Sequence, residues 1–312
     1  MRVLVAGASG AVGKALLPML VARGHVVGGL IRNPAHAPQV RAMGAHPLVA
    51  DALEPDALTS VFETFQPQAV VHQLTALPAN PDLRDFDRTF AATNRLRTEG
   101  TDHLVTASRA VGVERFVAQS FCGWTFARTG GPAKTEEDPL DPNPPRAFRR
   151  TLDALRHVER AMSDASDLRG IALRYGGFYG PGTGVSRTGA IVEQVRRRRL
   201  PVVGDGSGVW SFIHIEDVAS ATVAALEGNA TGIYNVVDDH PAPVREWLPE
   251  LAAAVGAKPP LWLPALIGRI VLPRHLFLMM TAVRGASNAK FRESFRWQPR
   301  YASWREGFRY GL

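Results

Sequence analysis

Three glycines near the amino end constrain this chain more than any other feature. An apolar run, Arg2 to Val5, leads at once into Gly7-Ala8-Ser9-Gly10-Ala11-Val12-Gly13, and the helix-periodic stretch Lys14–Arg23 follows. A strand, a glycine turn and a helix in that order make an anion site. Glycine lets the backbone turn tightly beside a pyrophosphate, while the helix start offers unpaired N–H groups and the positive end of a dipole. The spacing is G-x-x-G-x-x-G, and its place between strand and helix points to a dinucleotide.

The rest of the chain supports the same architecture. Strand-like runs at Arg2–Ala6, His25–Ile31, Ala45–Ala50, Ala69–Gln73, Arg115–Gln119 and Gly170–Arg174 alternate with helical stretches such as Asn94–Val111. That alternation predicts an α/β fold: a Rossmann-like, doubly wound parallel sheet with ligands at the carboxyl ends of its strands. Residues 1–174 form the expected dinucleotide-binding domain, with re-entry near 206–239. Residues 175–205 and 240–312 form a smaller α/β substrate lobe. The acid-, Gly- and Pro-rich stretch Thr129–Pro145 reads as a surface loop before a helix over Arg149–Ser163.

Composition narrows the partners. The net charge of +7 is carried almost wholly by arginine, and the densest cluster, Arg196–Arg199, has no interleaved aromatics and no nucleic-acid module around it. The expected partner is a small-molecule substrate and not a nucleic acid; a homodimer is compatible with the basic helix and apolar lobe. The single cysteine, Cys122, excludes an intrachain disulfide, and the scattered histidines predict no metal site. No leader precedes the first strand, so the expected compartment is the cytoplasm. Leu261–Val283 is apolar but interrupted by Pro264, Arg269, Pro273, Arg274 and His275, which excludes an integral membrane segment. It reads as a helical lobe over a pocket, with peripheral membrane contact as the alternative.

The end of the second strand selects the cofactor. An acid there holds the adenosine 2′-hydroxyl of NAD; a cation holds the 2′-phosphate of NADP. This chain has Ile31-Arg32-Asn33, so Arg32 favours NADP over NAD. Asp51, with Ala52 beside it, is placed either to meet the adenine amino group or simply to cap a turn.

In order and spacing these features resemble the extended short-chain dehydrogenase/reductase superfamily, the epimerase/dehydratase-like branch. The glycine turn and Val49-Ala50-Asp51 are similar to its cofactor motifs. Val70 to Ala76 resembles its nicotinamide-ribose strand, which implies cofactor contacts for Leu74, Thr75 and Ala76. Asn94 is similar to a supporting helix asparagine. Leu173 to Gly182 resembles the segment passing the nicotinamide carboxamide, which implies contacts for Tyr175, Gly177 and Phe178. Gly204-Asp205-Gly206 through Ala219 resembles the substrate-lobe stretch.

Two departures matter more than these matches. The superfamily's catalytic pair is a tyrosine followed four residues later by a lysine, whose charge lowers the phenol's pKa. Here the first tyrosine is Tyr175, and no lysine lies between Lys134 and Lys258. The corresponding helix offers Thr151 with Leu155, or Phe148 with Leu152. Neither pair transfers a proton in that way. The second departure is Trp210, near where sugar-nucleotide enzymes carry a diphosphate-clamping arginine. With Trp124 and Phe126 it predicts an aromatic, uncharged substrate pocket, or else ordinary core.

Candidates for the missing chemistry are Ser120 after the fifth strand, Tyr175 or Tyr179 beside the expected nicotinamide, and His157 on the helix that lost its tyrosine. The leading expectation is an NADP-dependent oxidoreductase. It would move hydride to or from a small, mainly apolar carbonyl, alcohol or imine-type substrate that needs no strong protein acid. The alternatives are a non-redox epimerase, isomerase or lyase-like enzyme that retains NAD(P), and a non-catalytic NADP-binding sensor or interaction protein.

Overall fold

The computed structural model describes residues 1–78, 81–164 and 167–312. At its centre is a seven-stranded sheet in the order Gly232–Val236, Arg169–Tyr175, Arg115–Phe121, Ala69–His72, Arg2–Ala6, Val26–Ile31, His46–Val49. Each neighbouring pair is parallel, so all carboxyl ends share one edge. The order reverses beside Arg2–Ala6, and such a switch point opens a crevice at that edge.

These segments are strands because they are apolar on both sides. Val3, Leu4, Val5, Ala69, Val70 and Val71 have no exposed surface, as expected for parallel strands covered by helices on both faces. Helices Ala11–Ala22 and Ile215–Glu227 cover one face through Leu16, Leu20, Val218 and Leu226. Helices Pro55–Phe65, Glu99–Ala110 and Arg146–Asp164 cover the other through Leu58, Phe62, Leu104 and Met162. The doubly wound parallel sheet expected from the sequence is thus the fold of this chain. A third core, around Phe212, Trp247, Leu251, Trp304 and Phe308, holds the carboxyl-terminal part together.

One expectation changes in detail. Thr129–Pro145 is mostly exposed, as a surface loop should be, but it is also tied down. Its Ala133–Lys134 pairs with Gly285–Ala286 as a short parallel strand. Lys134 bonds Asp138 at 2.8 Å, Asp141 pairs with Arg128, and Glu136 accepts from the Asn235 backbone at 2.6 Å. Glu136, Asp138 and Asp141 satisfy cations and backbone donors, while Glu137 faces water. No described helix is long and apolar enough to cross a membrane.

Candidate active site

The glycine turn is shaped by backbone crowding. Gly7 has φ +95°, and a Cβ there would stand 2.7 Å from the Gln73 carbonyl oxygen. A Cβ on Gly13 would stand 2.4 Å from the Ala8 carbonyl oxygen, so the helix start is drawn tightly onto the turn. Gly10, the helix cap, supplies no side-chain acceptor. The first-turn N–H groups behind Ser9, Gly10, Ala11 and Val12 therefore have no capping side chain, and such groups suit a pyrophosphate.

Arg32 projects from the end of the second strand with 73% of its side chain exposed, and its nearest carboxylate, Asp51, is 3.9 Å away. Asn33 is occupied in capping the next turn through Ala35 N. Asp51 Oδ1 accepts from Leu53 N at 3.0 Å, the turn-capping geometry, while its Oδ2 faces Arg32. Ala52 is buried, and its carbonyl meets His103 Nδ1 at 3.0 Å.

At the fourth strand's end, Leu74, Thr75 and Ala76 follow a buried histidine. His72 bonds Thr101 Oγ1 at 3.1 Å and accepts from Leu74 N at 3.2 Å. Burial, helped by the Arg97 cation, pulls its pKa down to about 4, so the ring is neutral. Ala76 N donates to Thr93 Oγ1 at 3.0 Å. Asn94 Nδ2 donates to Thr151 Oγ1 at 3.0 Å, which places the asparagine against one of the two candidate replacements for the tyrosine. Gly177 and Phe178 are half-buried, and Gly177 N is bonded to Ser211 O at 2.8 Å.

The sequence reading missed Arg97. It is 6% exposed, its guanidinium donates to no group among the described residues, and Nη1 is buried without a partner. Burial pulls its pKa down to about 10. An unpaired cation inside a protein is costly unless an oxygen acceptor meets it. The available signal was an arginine three residues beyond Asn94, on the same helix face.

The four catalytic candidates are each buried or hydrogen-bonded in this structure. Ser120 has no exposed surface and donates to Glu159 Oε1 at 2.7 Å. The same carboxylate receives Arg174 through both oxygens at 2.7 Å. Ser120 therefore completes a buried ion pair. Tyr175 is equally buried, its hydroxyl bonded to Thr222 at 2.6 Å and its carbonyl to Cys122 N. Burial pushes its pKa up to about 12. Tyr179 is also buried, and burial and Asp238 raise its pKa. His157 bonds Asp102 at 2.7 Å between two helices on the outer surface. Each residue was close in sequence to the right strand or helix, but its side chain points into packing or solvent.

The aromatic residues do converge. Trp124 stacks on Phe148 at 4.0 Å, and Phe86 meets both at 5.7 and 4.8 Å. Leu152, Val283, Met279 and the edge of Trp210 complete this cluster, and Trp210 Nε1 donates to Met279 O at 2.8 Å. No side chain of the cluster is charged. Phe126 is not part of it; it packs with Cys122, Val237 and Ala286 beneath the Arg174 guanidinium. A separate cavity of about 770 Å³ beside Asp238, Asn288 and Arg292 shares no residue with the glycine turn or the aromatic cluster.

Fold and glycine turn together define a nucleotide-binding enzyme of the doubly wound α/β class. The profile of the NAD dependent epimerase/dehydratase family matches residues 3–237, and the chain belongs to that family. It is 44% identical over 310 residues to 3-diazoavenalumate denitrifying reductase of a Streptomyces species, covering 98% of this chain and 99% of that protein. It is 30% identical over 269 residues to 2-alkyl-3-oxoalkanoate reductase of Stenotrophomonas maltophilia, covering 82% and 76%. Among solved structures, UDP-glucose 4-epimerase of Thermus thermophilus in complex with NAD superposes with a TM-score of 0.73 at 26% identity, covering 99% and 97%. The chain is accordingly an NAD(P)-dependent enzyme of the oxidoreductase or epimerase type.

Proposed function

We propose that this enzyme is an NADPH-dependent reductase of an electron-poor aromatic substrate of the aryl diazonium class, releasing dinitrogen. The observation that carries the reading is the missing acid. Where the superfamily needs a phenol and an ammonium, this helix has Thr151 with Leu155, or Phe148 with Leu152, and no other tyrosine comes forward. Reducing a ketone places charge on an oxygen that must be protonated. Replacing a diazonium group does not: the aryl carbon–nitrogen bond breaks, a carbon–hydrogen bond forms, and the departing nitrogen leaves as neutral dinitrogen. Two electrons and one hydrogen nucleus enter together, so the balance closes without a protein proton. The name of the Streptomyces relative describes a diazo substrate and a denitrifying reduction.

When bound, the dihydronicotinamide supplies that hydride. The chain's own residues bind and orient. The glycine turn holds the pyrophosphate through backbone N–H groups. Arg32, exposed and with only a distant carboxylate, is available for the 2′-phosphate, which supports NADPH over NADH. Trp124, Phe148 and Phe86 are buried against one another, which makes them apolar packing behind Asn94 and Thr151 and not an open ring-binding face. Asn94 and Thr151 are the polar contacts at the floor.

The test is NADPH oxidation with aryl diazonium salts, using NADPH deuterated at C4. The expected result is one NADPH consumed per arene formed, with deuterium on the ring carbon that lost nitrogen. Arene formed without NADPH consumption, or turnover confined to ketones, overturns the reading.

A further inference from the structure

One part of the surface remains outside this chemistry. Leu261, Trp262, Leu266, Ile267, Ile270 and Val271 each expose between 46% and 77% of their surface. Helix Ala265–Val271 is seated through Gly268, where a Cβ would stand 2.4 Å from Val203 Cγ1. Its outward face therefore repeats apolar residues four apart, Leu266 with Ile270 and Ile267 with Val271. Single exposed apolar residues are ordinary, but a contiguous ridge marks an interaction surface.

Along the ridge segment itself the charge has one sign, with the exposed Asp205 beside Ala265 as a neighbouring acid. No acid occurs between Glu250 and Glu293, while Lys258, Arg269 and Arg274 lie exposed in that stretch. The Arg196–Arg199 cluster reaches the same place. Strand Val202–Val203 pairs with Trp262–Leu263, and Arg198 Nε donates to Pro259 O at 3.0 Å. Arg199, Arg269 and Arg274 form no salt bridge among the described residues, unlike Arg197, which is paired with Glu193. A protein helix is received by a groove. Here the two most exposed side chains, Leu266 and Ile270, stand on a helix at 73% and 77% exposure, the arrangement of elements that lie in a headgroup layer.

We infer that Trp262 and helix Ala265–Val271 dock this enzyme on an anionic lipid bilayer. The ridge enters the headgroup boundary and the surrounding arginines meet lipid phosphates. The same lobe packs against the aromatic cluster through Met279, and His275 Nε2 is bonded to Leu83 O at 2.6 Å.

Flotation of the full chain with phosphatidylcholine vesicles, with and without phosphatidylglycerol, tests this. The wild type is expected to float with the anionic vesicles, with a blue shift of tryptophan emission that Trp262→Phe removes. Leu266→Ser/Ile270→Ser should abolish flotation, and its melting curve should match the wild type because both residues are exposed. Arg269→Gln/Arg274→Gln should weaken binding by roughly fivefold per charge. No flotation with anionic vesicles, or equal flotation of wild type and Leu266→Ser/Ile270→Ser, overturns the inference. So does a dimer in sedimentation analysis that Leu266→Ser/Ile270→Ser dissolves, which would make the ridge a contact between copies. Retention by polyglutamate but not by vesicles would likewise overturn it, in favour of an acidic protein.

Discussion

Ser120→Ala and Glu159→Gln decide whether the serine at the fifth strand's end works on substrate or on structure. Glu159 and Arg174 are 6% and 5% exposed and joined by two 2.7 Å bonds, with Ser120 donating a third. In Glu159→Gln the amide cannot neutralise the guanidinium, and its NH₂ faces another donor. Leaving a buried charge unpaired in this way costs about 3–5 kcal/mol. For a chain of 312 residues, each kilocalorie moves the melting temperature by about 1.5 °C, so a fall of roughly 5–8 °C is expected. Ser120→Ala removes one donor and leaves the ion pair, so it should lose about 1–2 kcal/mol, or roughly 1.5–3 °C. Calorimetric melting of both variants, alongside NADPH-linked turnover per folded molecule, separates the roles. Turnover in Ser120→Ala should stay within about threefold of wild type, since a residue remote from the reacting atoms acts only through small displacements. An unchanged melting temperature with a hundredfold loss of turnover would place the hydroxyl on substrate and refute the assignment.

Buried His72 gives a pH signature. Its pKa is about 4 in the fold against an ordinary 6.5, so the unfolded chain binds the proton first as pH falls. Stability should therefore be intact above pH 6.5 and decline by about 3 kcal/mol by pH 4, and denaturant titrations of His72→Gln should lack that slope. Arg97→Met removes an unpaired buried cation, so the free enzyme should gain about 1–3 kcal/mol, read by thermal melting. If Arg97 meets a cofactor oxygen, calorimetric titration of the same variant should show weaker NADPH binding. Arg32→Ala should lower NADPH affinity by about 10–100-fold, the value of a charge-assisted contact, while leaving NADH affinity unchanged. Phe148→Ala, which empties one side of the 4.0 Å stack on Trp124, should destabilise by about 3–5 kcal/mol in thermal melting.

The strands were legible because a parallel sheet covered on both faces writes itself as short apolar runs, such as Ala69–His72. The glycine turn was legible for a related reason: Gly7 and Gly13 sit where backbone atoms of Gln73 and Ala8 leave no room for a Cβ, and a local steric demand leaves a local mark. The absence of any tyrosine before Tyr175 also needed no structure, since absence from a sequence is absolute.

What the residues at that edge do was decided by tertiary structure. Ser120, Tyr175 and His157 stand near the expected elements, yet Glu159, Thr222 and Asp102 claim their polar atoms. These partners lie 39, 47 and 55 residues away, and no spacing rule links them. Arg97 shows the converse: an arginine reads as surface until packing buries it without a partner. The sequence by itself determined the sheet, the nucleotide turn and the absence of any tyrosine before Tyr175, because each follows from contacts between near neighbours or from residue identity alone. The orientation of every side chain at the site belonged to the tertiary structure, because it depends on which distant group meets each polar atom once water is gone.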